Sequence, residues 1–194
     1  MITTRLGDEN GLTLVELMVG MVMALVVLAA IYQLFMSSNK IYTVQGKVVE
    51  VQQGLRGALD LMAGDIRMAG LDPTGDAGNA GIATATASRI QIRMDYNGSG
   101  AVDRDVIYTY NSTSNVLAVN QNDGSGLQPL ADDVASFALS YDLTNGTTVS
   151  APPDTGEVRV VSIDACGRIS GSYSDEYNST HCFSESVACR NLGL

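Results

Sequence analysis

The sequence predicts an α+β fold, a lollipop with one long N-terminal α-helix packed by its outer half on a C-terminal antiparallel β-sheet domain. Three observations predict it. An apolar run from Leu17 to Tyr32 extends to Met36 with Gln33 as its sole interruption. Apolar residues then recur at helical spacing as far as Ala69. Beyond Gly70 the pattern changes to short alternating segments separated by Asn-Gly, Asp-Gly and Gly-Ser turn signals.

The apolar segment comes first. From Leu12 to Met36 a helix would rise ~1.5 Å per residue and span the roughly 30 Å of a bilayer's hydrocarbon core. A cleaved secretory signal peptide fits poorly. Its apolar core would be shorter, and a small-residue cleavage site would precede a loop-like mature start. Here the run passes directly into a second helical pattern. Ile41, Val44, Val48, Val51, Leu55, Leu59, Met62, Ile66 and Ala69 define one face, with Lys47, Glu50, Arg56, Asp60, Asp65 and Arg67 largely on the others. Gly70 and Asp72-Pro73-Thr74-Gly75 predict the stop. A helix from Leu12 to about Met68 would be on the order of 85 Å long.

Residues 76–86 are small and read as a loop. Strands are expected at Arg89–Met94, Asp105–Tyr110, Asn115–Val119, Val134–Tyr141, Glu157–Ile163 and His181–Arg190, forming one antiparallel sheet. The expected organisation is a leader over 1–11, a transmembrane or filament-core helix over 12–36, its amphipathic continuation over 37–70, and a globular β domain over 71–194.

Composition excludes several functions. The 194-residue chain carries a formal net charge of −10 and has no Trp. Nucleic-acid binding needs Lys and Arg clusters or stacking aromatics, and neither is evident. No cofactor is implied by a Gly-rich phosphate loop or a metal-ligand pair. His181 is the sole histidine, and its neighbour Cys182 would point to the opposite face of a strand. The chain is therefore expected not to be an enzyme.

Glu16 is the informative residue of the first segment. A carboxylate inside a membrane helix costs several kcal/mol unless it finds a partner. Gly11-Leu12-Thr13-Leu14-Val15-Glu16, followed by the apolar run, resembles the type IV prepilin motif. The resemblance implies cleavage by a prepilin peptidase between Gly11 and Leu12, methylation of the new Leu12 amine, and a fifth mature residue, Glu16, that neutralises the N-terminal amine of a neighbouring subunit. Two departures stand out. Asp8, Glu9 and Asn10 precede Gly11 where the family usually has basic residues, and no Pro precedes Pro73, so no Pro kink is predicted.

Gly54 to Pro73, Ala131 to Asp142 and the terminal SVACRNLGL resemble PilW-type minor pilins and the related J-type pseudopilins. That resemblance implies other pilins, the prepilin peptidase and an inner-membrane assembly platform as partners. It also implies a single-pass inner-membrane state with a periplasmic domain before assembly into a filament. A type II secretion pseudopilin, or a membrane-anchored calcium-dependent binding module on a fibre, are the alternative functions.

Two further features concern the β domain. Asp95, Asn97, Ser99 and Asp103 occupy positions one, three, five and nine of a calcium-type loop with Gly100 at six, but Val106 stands where the twelfth-position Glu belongs. The same residues suit a plain polar turn. Cys166, Cys182 and Cys189 contain no C-x-x-C pair. In an extended strand, Cys182 and Cys189 would stand roughly 23 Å apart, beyond the ~7 Å a disulfide spans. Pairing the flanking strands as antiparallel neighbours brings Cys166 to Cys182, the expected disulfide, and leaves Cys189 free; calcium is the one candidate ligand, at the loop above. A turn at Ser184–Ser186 would instead allow Cys182 to reach Cys189.

Overall fold

The structure is a computed structural model that describes residues 11, 13–169 and 180–192. It contains helix α1 (Leu14–Met68) and nine strands: β1 (Gly81–Thr86), β2 (Arg89–Met94), β3 (Arg104–Asn111), β4 (Val116–Asn120), β5 (Gln128–Ala131), β6 (Val134–Leu143), β7 (Thr148–Val149), β8 (Val158–Arg168) and β9 (Thr180–Ala188). The chain divides into two compact units, residues 1–45 and 46–194.

In the first unit the described chain is helical from Leu14 onward. Thr13 starts it: its carbonyl accepts from the Leu17 N–H at 3.1 Å, and its hydroxyl accepts from the Glu16 N–H at 3.3 Å. This is N-capping, which satisfies donors that the first turn leaves unpaired.

The second unit holds the core. Leu55, Ala58, Leu59, Met62, Ala63 and Ile66 are buried at three- and four-residue steps. Val48, expected on that face, is only half-buried. Asp65, expected on an outer face, is buried instead, because strand β3 supplies partners for it. The helix ends at Met68 as its sequence predicts. Gly70 follows with φ +78°, a left-handed conformation that glycine adopts without steric cost. A Cβ there would lie 2.8 Å from a Leu192 methyl and 3.0 Å from the Asn191 carbonyl oxygen. The C-terminal segment therefore packs directly on the helix end.

The strands form two antiparallel sheets, where one was expected: β1-β2-β3-β4-β5 and β7-β6-β8-β9. The β2 strand has the expected bounds. Strand β1 replaces most of the expected loop over 76–86. Its Gly-Ile-Ala-Thr-Ala-Thr sequence has little apolar alternation, and pairing with β2 from Gly81↔Arg93 to Thr86↔Arg89 supplies the order. Strand β5 was also missed. It contains Pro129 and lies at a sheet edge, where a missing N–H is tolerated.

Val134–Tyr141, whose sequence VASFALSY alternates imperfectly, does so for a structural reason. A register shift between Val134 and Ser136 places Ala135 and Ser136 both outward, so Phe137, Leu139, Tyr141 and Leu143 can all face the core. The two sheets are tied by phenols. Tyr141 donates to the Thr86 carbonyl at 2.8 Å, and Tyr110 donates to the Val134 carbonyl at 2.9 Å. The Tyr110 ring also packs 5.7 Å from that of Phe137.

Candidate functional site: the N-terminal processing segment

The candidate site begins where the chain enters α1. Gly11 is exposed, and Leu12 and the leader lie outside the described residues. Glu16 stands in the first turn of the helix, exposed, where a negative charge interacts favourably with the positive end of the helix dipole. Its carboxylate has no hydrogen-bond or ion-pair partner among the described residues. Every large apolar side chain from Leu14 to Met36 is more than half exposed. This is a helix long and apolar enough to cross a membrane. An α-helix suits that setting because it satisfies its own backbone hydrogen bonds without water. The segment thus presents one unpaired carboxylate at the head of an uncovered apolar rod.

Residues 7–32 match the prokaryotic N-terminal methylation motif. The match supports a type IV pilin or pseudopilin that a prepilin peptidase processes and that assembles with other pilin subunits. The apolar helix behind the prepilin motif fits an inner-membrane anchor that later enters a filament. A search of curated proteins found no match to the chain.

The β2–β3 loop brings Asp95, Asn97, Ser99 and Asp103 together, but around the loop's own backbone. Asp95 is fully buried and accepts from the Ser99 and Gly100 N–H groups at 3.0 and 2.8 Å. Asp103 accepts from Tyr96 and Asn97 at 2.7 and 3.2 Å. Asn97 accepts a second bond from the Ser99 N–H at 2.8 Å. Each carboxylate thus staples the turn. Among the described residues, no three His, Cys, Asp or Glu side chains gather as a metal-binding group.

The Cys166 and Cys182 sulfurs are bonded to each other. The two residues are direct partners in the β8–β9 ladder, with Cα atoms 4.0 Å apart. Strand β9 is unbroken from Thr180 to Ala188, which carries Cys189 to its far end, free and buried. Burial pushes the Cys189 thiol up to about 11, and the Arg159 charge opposes the shift.

Sequence reasoning missed one polar cluster. Asp65 on α1 meets Tyr108 and Arg104 from β3: Arg104 donates to the carboxylate at 3.0 and 3.3 Å, and the Tyr108 hydroxyl donates at 2.6 Å. Burial, and then the bond to Asp65, push the Tyr108 phenol well above its ordinary range. The available signal was a charge among the apolar residues Leu59, Met62 and Ile66.

Proposed function

We propose that this chain is a minor pilin of the PilW type, built into a type IV pilus to prime, cap or complete the filament. The observation that carries the reading is the prepilin motif leading directly into an uncovered apolar helix with a single unpaired carboxylate at its head. After cleavage at Gly11, Leu12 would carry the methylated amine. In a low-dielectric bundle of such helices, that amine and the Glu16 carboxylate of a neighbour attract strongly, and either one alone is costly. The role is structural: the chain is a substrate of the peptidase and a building block, with the assembly platform of the inner membrane as a further partner.

The PilW assignment rests on the resemblance of the Gly54–Pro73, Ala131–Asp142 and C-terminal segments. The type II secretion alternative uses the same parts. Genes for pilus assembly beside this one would support the pilus reading, and secretion genes would move it to the pseudopilus. The direct test replaces Glu16 with Ala and measures both membrane insertion and filament incorporation. Insertion should persist and incorporation should fall. Wild-type incorporation of the variant would remove Glu16 from the mechanism.

A further inference from the structure

The β domain contains Asn-x-Ser/Thr triplets that the pilin reading does not use: Asn97-Gly98-Ser99, Asn111-Ser112-Thr113 and Asn145-Gly146-Thr147. A fourth, Asn178-Ser179-Thr180, begins outside the described residues. This pattern is the acceptor signal for N-linked glycans in exported chains, and glycan attachment requires an exposed position.

The three described triplets share one geometry. Each asparagine is exposed at a turn: between β2 and β3, at the end of β3, and between β6 and β7. In each, the side-chain Oδ1 accepts the backbone N–H of the residue two places on, at 2.8 Å for Asn97, 2.9 Å for Asn111 and 2.9 Å for Asn145. That bond curls the chain so the hydroxyl residue turns back toward the amide. At Asn145 the Thr147 hydroxyl also donates to Oδ1 at 2.6 Å. No Nδ2 of the three has a hydrogen-bond partner among the described residues.

The triplets differ in how free they are. The Ser99 hydroxyl is committed to the Ala101 carbonyl at 3.3 Å, and the Ser99 N–H is also held by buried Asp95. Thr113 and Thr147 have exposed side chains with no bond to a more distant element.

We propose that Asn111 and Asn145 are glycan acceptors, modified by a membrane-bound transferase that uses a polyprenyl-pyrophosphate-linked oligosaccharide. The asparagine Nδ2 attacks C1 of the first sugar. The C1–O bond to pyrophosphate breaks, the N–C1 bond forms, and polyprenyl pyrophosphate leaves. One amide proton passes to a base of the transferase, and no redox change occurs. The proposal rests on the pilin reading, because the donor and transferase act on the extracytoplasmic side, where that reading places the domain.

The test is intact-mass and peptide mass spectrometry of the full chain from membranes and filaments of its native cells. The expected result is an N-terminus at Leu12 together with discrete sugar increments on the peptides containing Asn111 and Asn145. Asn111→Gln should lose one increment. Thr147→Ala should lose the increment at Asn145, and Thr147→Ser should keep it. A processed chain with the bare polypeptide mass overturns the acceptor assignment and leaves the pilin reading standing. An increment at Asn145 that survives Thr147→Ala also overturns it. A chain that still begins at Met1 overturns the pilin reading on which the proposal rests.

Discussion

The Tyr108 hydroxyl lies 2.6 Å from the Asp65 carboxylate and joins strand β3 to helix α1 inside the core. Arg104 offsets the charge of that carboxylate, so a group that would be costly to bury becomes a specific link between helix and sheet.

Removing the phenol hydroxyl tests the link. Tyr108→Phe should cost ~1–2 kcal/mol, since Asp65 keeps Arg104 but loses one buried bond. Asp65→Ala should cost more, because it strands the Tyr108 hydroxyl as well. Denaturant unfolding of the purified full chain would measure both, and a neutral Tyr108→Phe would show that the bond contributes nothing net.

Gly167 should resist replacement. A Cβ at this β8 position would overlap the Val51 Cγ1 and lie 2.6 Å from the Leu55 Cδ1. Gly167→Ala should destabilise by roughly 1–3 kcal/mol through overpacking. Combining it with Val51→Ala should restore part of the loss, which a double-mutant cycle would read.

Peptide mapping without reduction should recover Cys166 linked to Cys182. Replacing both by Ser should cost ~3 kcal/mol, as expected for a loop of this size in the chain-entropy model. A linked peptide joining Cys182 to Cys189 would contradict the observed pairing.

Alkaline pH should destabilise the fold. The Cys189 thiol is raised from 9.0 to about 11, and the Tyr108 and Tyr141 phenols are raised from 10.0, in each case chiefly by burial. The unfolded chain therefore loses these protons first. Stability present below about pH 9 is lost as pH climbs toward 11, by on the order of 2 kcal/mol from the thiol alone. Cys189→Ala should remove the part of the slope that begins near pH 9 and keep the part that begins near 10.

The β2–β3 loop offers a metal test. With both Asp95 oxygens already accepting backbone N–H groups, millimolar calcium should leave the melting temperature where chelator leaves it. Asp95→Ala should destabilise equally in both conditions, by ~1–3 kcal/mol for the unpaired N–H groups. A calcium-dependent rise in melting temperature would establish the loop as a cation site, because a ligand bound to the folded state alone stabilises by mass action.

The sequence by itself determined what depends on local order. The Gly11–Glu16 motif, the apolar run to Met36 and the stop at Gly70 are signals contained in a few neighbouring residues, and they mark the candidate processing segment and the end of α1 at Met68. The β2 strand was legible because Ile90, Ile92 and Met94 alternate, and the Cys166–Cys182 pair was legible on the condition that Cys182 and Cys189 share one unbroken strand, a condition that the β8–β9 ladder meets. Tertiary structure alone decided the rest. Gly81–Thr86 becomes a strand because β2 offers it a ladder, and the β chain splits into two sheets bridged by Tyr110 and Tyr141. Asp65 turns inward because Arg104 and Tyr108, about forty residues away, satisfy it. A local pattern records which side chains avoid water. It does not record which distant donor or strand edge will be present to compensate a buried charge or an unpaired backbone, and those partners are set when the chain closes on itself.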